Sequence, residues 1–360
     1  MDIGVFLPNG RNGYLISKAG PQFDPSYRHH LEIVKKMEAC GMDFGLAMIK
    51  FSGFGGETQF WEGCLEGFTL CSALLGATDR IKLFGSAATI LMPPPLVARM
   101  AATCDSVAPG RFGVNIVTGW QPAEYHQMGM WPGDEYFGYR YDMASEYVDV
   151  MRELWSTGLS NFKGDHYQLE NCKLSPRPEG KIDIVAAGQS PRGLRFAAEH
   201  ADYAFTFCTG LNTPTAFAAS NQRLAEAKAA SGRDVGAYVL VMVIADETDA
   251  LAEKKWQYYA DNVDVAAVEW MADQSGRDAG ADETASAKRI NLPEGAVNMN
   301  TGALIGSYET VARMLDEMAA VPGTRGIMLS FDDYDTGIDI FAEKIQPLMR
   351  CRQDHLAVVA

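Results

Sequence analysis

Short apolar runs alternate with amphipathic stretches along almost the whole chain. Ile3–Leu7, Phe44–Ile49, Ile81–Thr89, Phe112–Gly119, Ile182–Gly188, Tyr203–Cys208, Tyr238–Ala245 and Gly326–Phe331 read as strands. Most are nearly continuous in apolar residues, the pattern of parallel strands buried beneath helices. Helices are predicted over about Ser26–Cys40 (stopped by Gly41), Phe60–Gly76, Pro93–Val107, Arg140–Trp155 and Ser190–His200. Further ones fall at Pro214–Ser231, Ala250–Ser275, Tyr308–Ala320 and Gly337–Arg350. Leu96–Trp120 shows the unit plainly: a helical pattern (Leu96, Val97, Met100, Ala101, Cys104), a Pro109-Gly110 turn, then the strand Phe112–Val117.

Eight strands alternating with helices predict an α/β fold of the (β/α)8 TIM-barrel type, as a single domain over residues 1–360. A doubly wound sheet would need a glycine-rich phosphate turn after the first strand. Pro8-Asn9-Gly10-Arg11-Asn12-Gly13 does not match GxGxxG, and no Walker sequence occurs. Two long connections stand out, Gln121–Tyr139 after strand 4 and Gln274–Asn300 after strand 7. The second, rich in Gly and Asp, is either a lid over the barrel mouth or a solvated excursion.

Composition narrows the class. With 47% hydrophobic and 21% charged residues, the chain supplies the core of a globular enzyme. A formal charge of −15 argues against nucleic-acid binding. The seven Cys are scattered without a CxxC pair, which reads as a reduced, cytoplasmic protein. Asp2 and strand-like Ile3–Leu7 follow the initiator Met, so no signal peptide is expected. No apolar run approaches the roughly 20 residues of a membrane span. The six His make no HExxH or HxxxH spacing, and no GxSxG elbow occurs, so metal and hydrolytic chemistry lack support.

Candidate chemistry clusters at predicted strand ends, where barrels carry their sites. Polar Asn115 interrupts an apolar strand; it bonds either neighbouring backbone or a ligand, since an unpaired buried amide costs roughly 1–3 kcal/mol. Lys50 follows Ile49 at the end of strand 2, over a ligand or simply in solvent. Ser86 and Thr89 offer small hydroxyls beside a flat ring, or packing. Glu124 and Arg140 form a ligand pair or a loop salt bridge. Ala186-Ala187-Gly188-Gln189-Ser190-Pro191-Arg192-Gly193 opens a helix with an N-cap Ser and Pro at the first position, either an ordinary capped turn or a phosphate seat. His126 is a lesser pocket candidate.

The runs ARMAATCDSVAPGRFGVNIVTGW, WPGDEYFGYRYD, AGQS, NTPTAFA, VMVIADETD, GSYETVARMLDE and QPLMRCR, spread between Met48 and Arg352, together resemble the luciferase-like flavin-dependent monooxygenases, and among them the pyrimidine-opening branch. The resemblance implies a barrel holding FMN. It implies cofactor contacts at Ile49, Lys50, Asn115, Glu124, Arg140, Tyr141 and Ser190, with Arg140, Tyr141 and Ser190 toward the phosphate and ribityl oxygens and Glu124 accepting from ribityl hydroxyls or orienting a neighbouring group. Ile49, Lys50 and Asn115 would address the ring, and Asn115, Ser86 and Thr89 the chemistry. Ser86 stands where the resemblance implies Thr. The implied reaction uses reduced FMN, supplied by a separate NADH-dependent flavin reductase, and O2 to open uracil or thymine between N3 and C4, giving a ureidoacrylate-type product. Homo-oligomerisation is implied too. Alternatives are a monooxygenase of an alkanesulfonate or sulfone, and a catalytically silent flavin- or pyrimidine-binding protein.

Overall fold

The computed structural model describes residues 1–278, 280–281, 284–285, 297–299 and 301–353. Eight parallel strands close a barrel in the order β1 (Asp2–Leu7), β2 (Phe44–Ala47), β3 (Lys82–Ala88), β4 (Phe112–Val117), β7 (Asp183–Ala186), β8 (Tyr203–Phe207), β9 (Gly236–Asp246) and β11 (Thr324–Phe331). Closure is made where β1 pairs with β11, with Asp2 opposite Gly326 and Val5 opposite Leu329. All eight predicted strands are present.

The helices are α1 (Tyr27–Ala39), α2 (Gly67–Leu75), α3 (Pro94–Val107), α4 (Pro122–His126), α5 (Tyr136–Thr157), α6 (Pro191–His200), α7 (Ala218–Ser231), α8 (Asp249–Asp261), α9 (Val265–Ser275), α10 (Tyr308–Ala320) and α11 (Tyr334–Ile340). Side-chain caps set many of their starts. Ser26, Ser190, Thr248 and Ser307 each accept from a backbone N–H three residues on, which satisfies an otherwise orphaned donor.

Several boundaries differ from expectation. The helix predicted over Phe60–Gly76 forms only from Gly67, because Gly55, Gly56, Gln59 and Trp61 all take positive φ and turn residues 51–66 into a loop. Ala250–Ser275 breaks at Asp264, which caps α9 and also accepts from Thr58. The Arg140–Trp155 helix extends to Tyr136–Thr157, so the long Gln121–Tyr139 connection carries α4 and the start of α5. Gly337–Arg350 is α11 followed by short π and 3-10 turns. Leu96, placed on the apolar stripe of α3, is exposed.

One strand went unforeseen. β10 (Ala303–Ser307) pairs with Met242–Asp246, the part of β9 that runs on after β8 has ended opposite Leu240. The rim of β9 therefore offered a free backbone edge. A two-stranded ribbon, β5 (Leu159–Ser160) with β6 (Cys172–Lys173), was missed too.

Inside the barrel, Phe44, Leu46, Phe84, Val185, Phe205, Tyr238, Leu240 and Met328 form a separate apolar cluster. The Tyr238 ring stacks between Phe44 at 4.2 Å and Tyr203 at 4.1 Å. Facing positions stay small to admit such rings: a Cβ on Gly113 would stand 2.3 Å from Phe84. The barrel is thus a packed plug, and the candidate site lies above it, at the C-terminal ends of the strands.

Candidate active site

Two cavities lie at the C-terminal ends of the strands. The inner one rests on Phe205 and Leu240 of the plug and is walled by Phe6, Tyr14, Trp61, Trp120 and Phe207. Polar groups reach it at Lys50, Ser86, Asn115, Glu124 and Thr301, and Ile49 lines it as well. The outer cavity, about 530 Å3, is lined by Arg140, Tyr141, Ser190, Arg192, Arg277 and Asp278, among others. Ala187 lines the inner cavity and Ser190 the outer, so one turn after β7 joins them.

Asn115 is held by a chain of three groups. Ser86 Oγ donates to the Ala47 carbonyl at 2.7 Å, which uses its only proton. It can therefore only accept from Asn115 Nδ2, at 2.8 Å. That fixes the amide, leaving Asn115 Oδ1 buried without a partner among the described residues. A lone buried acceptor lining an aromatic cavity is an invitation to a ligand N–H.

Lys50 and Glu124 pair at 3.0 Å, both nearly inaccessible to solvent. Lys50 Nζ also donates to Gln121 Oε1 and lies 4.8 Å from the Phe54 ring centre and 5.3 Å from that of Trp120. The other Glu124 oxygen accepts from the Phe51 N–H at 2.6 Å. Glu124 thus pairs with Lys50, and the Glu124–Arg140 bridge weighed from the sequence is replaced by two separate ion pairs. Nearby Cys64 is no nucleophile, since burial pushes its thiol up to about 12.

The outer cavity has the chemistry of an anion seat. Ser190 caps α6 with Pro191 at its first position, so the positive end of the helix dipole faces the space. A Cβ on Gly188 would stand 2.4 Å from the Tyr141 hydroxyl and 2.9 Å from Gly193 Cα, so only glycine lets Tyr141 lie on this turn. Arg140 Nη2 donates to Asp278 at 2.9 Å and Nη1 to the Gly119 carbonyl at 3.3 Å. Its Nε is buried with no partner among the described residues.

The structure therefore gathers Ile49, Lys50, Ser86, Asn115 and Glu124 at one cavity and Arg140, Tyr141 and Ser190 at the next. Thr89 lines neither. Tyr136 donates its proton to the Thr118 carbonyl at 2.6 Å, so the Thr89 hydroxyl, 3.1 Å away, is spent on Tyr136. His126 lies against Trp131 and lines neither cavity. Sequence reading missed Phe6, Tyr14, Trp61, Gln121, Thr301 and Asp278. Only Phe6 left a signal, as an alternate residue on β1. The rest come from loops whose paths no periodicity reveals. Of the Gln274–Asn300 connection, residues 279, 282–283, 286–296 and 300 lie outside the described residues.

The family model for luciferase-like monooxygenases matches residues 1–325, and the chain belongs to that family. Its relatives sharpen the class. It is 56% identical over 360 residues, all of both chains, to the pyrimidine monooxygenase RutA of Bradyrhizobium sp. (strain BTAi1 / ATCC BAA-1182). It is 54% identical to a protein of the same name from Acinetobacter baylyi (strain ATCC 33305 / BD413 / ADP1), over 99% of this chain and 97% of that one. Among solved structures it resembles the riboflavin lyase RcaE (TM-score 0.81, 19% identity, 98% of this chain and 92% of that one). The EDTA monooxygenase EmoA from Chelativorans sp. BNC1 is similar (TM-score 0.80, 17% identity, 98% and 94%), and these likenesses speak to the fold. Among the described residues no His/Cys/Asp/Glu group is placed to hold a metal, and no helix is long and apolar enough to cross a membrane.

Proposed function

We propose that this protein is a flavin-dependent pyrimidine monooxygenase that takes reduced FMN and O2 and opens the ring of uracil or thymine between N3 and C4. The observation that carries the reading is the pairing of the two cavities. One is aromatic with a single oriented acceptor, and the other is polar with a helix N-terminus and a buried guanidinium. A flavin mononucleotide needs both, for its tricycle and its phosphate. Full-length identity above half to chains named pyrimidine monooxygenases supports a pyrimidine as the substrate.

In this reading Arg140, Tyr141 and the Ser190 turn hold the phosphate end. Ile49, Lys50 and Asn115 address the ring. When bound, a reduced flavin supplies the electrons that activate dioxygen. The protein's part is placement. Asn115 Oδ1 accepts a ring N–H, Ser86 keeps that oxygen turned into the cavity, and Lys50 presents ammonium donors held by Glu124 and Gln121. Trp61, Trp120 and Phe54 exclude water around them. Glu124, with both oxygens engaged, acts on Lys50 rather than on the ribityl chain.

A sulfonate substrate would ask for an unpaired cation. Lys50 is the sole cationic side chain lining the inner cavity among the described residues, and Glu124 neutralises it. Mixing enzyme, reduced FMN and uracil without oxygen and then admitting O2 tests the reading: uracil loss with a ureidoacrylate-type product is expected. Sulfite release from an alkanesulfonate, with uracil untouched, would overturn it. Reduced flavin is expected from a separate NADH-dependent reductase, since the sequence holds no dinucleotide fingerprint.

A further inference from the structure

Among the described residues, every guanidinium lining the outer cavity already has a carboxylate. Arg192 pairs with Asp142 and Arg277 with Asp273, both at 2.8 Å and both substantially exposed. Arg140 pairs with Asp278 at 2.9 Å, and that pair is buried. Only Asp278 of these three acids itself lines the cavity, where Asp134 and Glu135 add further negative charge. Among the described residues an arriving phosphate therefore finds no free cation at this cavity, and the buried Arg140 guanidinium holds a carboxylate that faces the same space.

From this we infer that Asp278 is an internal anion which occupies Arg140 when the phosphate is away and competes with it when it arrives. Resting on the flavin reading above, the inference assigns Asp278 a role that sets affinity. It keeps the flavin exchangeable, as an enzyme fed reduced flavin from elsewhere requires. The competition acts on the phosphate alone, because Arg140 and Asp278 lie at the outer cavity and not at the ring. Arg140 must give up a buried carboxylate before it can take the phosphate, and breaking that pair at a partly desolvated site is enough to change affinity by about tenfold or more.

The test is flavin-fluorescence titration of wild type, Asp278→Asn, Arg140→Ala and the double variant with FMN and, separately, with riboflavin. Asn keeps an acceptor for Arg140, so the fold is expected to hold, and thermal melts check this; Asp278→Ser repeats the test with a smaller side chain. Asp278→Asn should bind FMN about tenfold tighter while riboflavin affinity stays within about twofold, and the gain should vanish when Arg140 is also Ala. Unchanged or weaker FMN binding in Asp278→Asn, or an equal gain for riboflavin, overturns the inference. If that occurs while wild type still binds FMN and consumes uracil, the flavin reading stands alone; if wild type binds no FMN, both fall.

Discussion

Removing the Ser86 hydroxyl tests the claim that this side chain works through Asn115 rather than by touching a ligand. Ser86→Ala deletes the 2.7 Å bond to the Ala47 carbonyl and the 2.8 Å bond from Asn115 Nδ2. The amide N–H is then buried without an acceptor, which costs roughly 1–3 kcal/mol unless the amide turns. Turning would point Nδ2 into the cavity and replace the acceptor that a ring N–H needs with a donor. If that loss is felt in the transition state, kcat/KM falls by about 5- to 150-fold. The assay is oxygen-initiated uracil consumption with excess reduced FMN.

Asn115→Ala should lose at least as much. The decisive measurement is the double variant. A residue acting only through Asn115 has nothing left to do once the amide is gone, so Ser86→Ala/Asn115→Ala should match Asn115→Ala within about 0.5 kcal/mol. Ser86→Thr keeps the hydroxyl and should retain most of the activity. Losses that multiply in the double variant would refute the relay and give Ser86 its own contact with the reacting groups.

Arg140→Ala should weaken FMN binding more than uracil binding, read by separate titrations; the reverse order would move Arg140 to the substrate. Glu124→Gln leaves the Lys50 ammonium buried without its counter-ion, so stability should drop by roughly 3–5 kcal/mol in chemical denaturation. An unchanged midpoint would show that Lys50 finds another partner. Gly188→Ala drives a methyl into Tyr141 and the Gly193 backbone, and should reduce FMN affinity while far-UV circular dichroism is preserved. Buried His30 donates from Nδ1 to the Ser26 carbonyl in its neutral form, and burial lowers its pKa from the ordinary 6.5 to about 4. Its unfolded form gains a proton first as pH falls, so it costs stability progressively between about pH 6.5 and 4, approaching about 3 kcal/mol, with no further change below. Urea midpoints of wild type and His30→Gln across that window measure the term, which the variant should lack.

The barrel was legible because each of its strands is written twice, as an apolar run and as the partner of a following helix. β10 was not, since its edge exists only because β9 outruns β8, a fact of register rather than of local sequence. Within the site, strand-borne Asn115 and Ser86 stood out as polar residues in apolar runs, and Ser190 as a helix cap. Their partition into two cavities needed the closed barrel. Thr89 misled because its neighbour across space, Tyr136, lies in another element. Asp278 was invisible as a site residue because a Gly- and Asp-rich loop reads as solvent-facing, and nothing local marks one acid as buried against an arginine.

This division follows the demands of the chemistry. Groups that must keep a fixed orientation, Asn115 and Ser86, sit on paired strands whose register sets them side by side, Ser86 opposite Asn115. Those that must allow traffic come from connections, with Trp61, Trp120 and Thr301 around the inner cavity and Asp278 at the outer. A rigid acceptor with a displaceable anion beyond it lets one cofactor bind in a single orientation and still leave. Substitutions on the strands should therefore damage turnover at saturating flavin, whereas substitutions at Asp278 should shift the flavin concentration required and leave the saturated rate nearly intact.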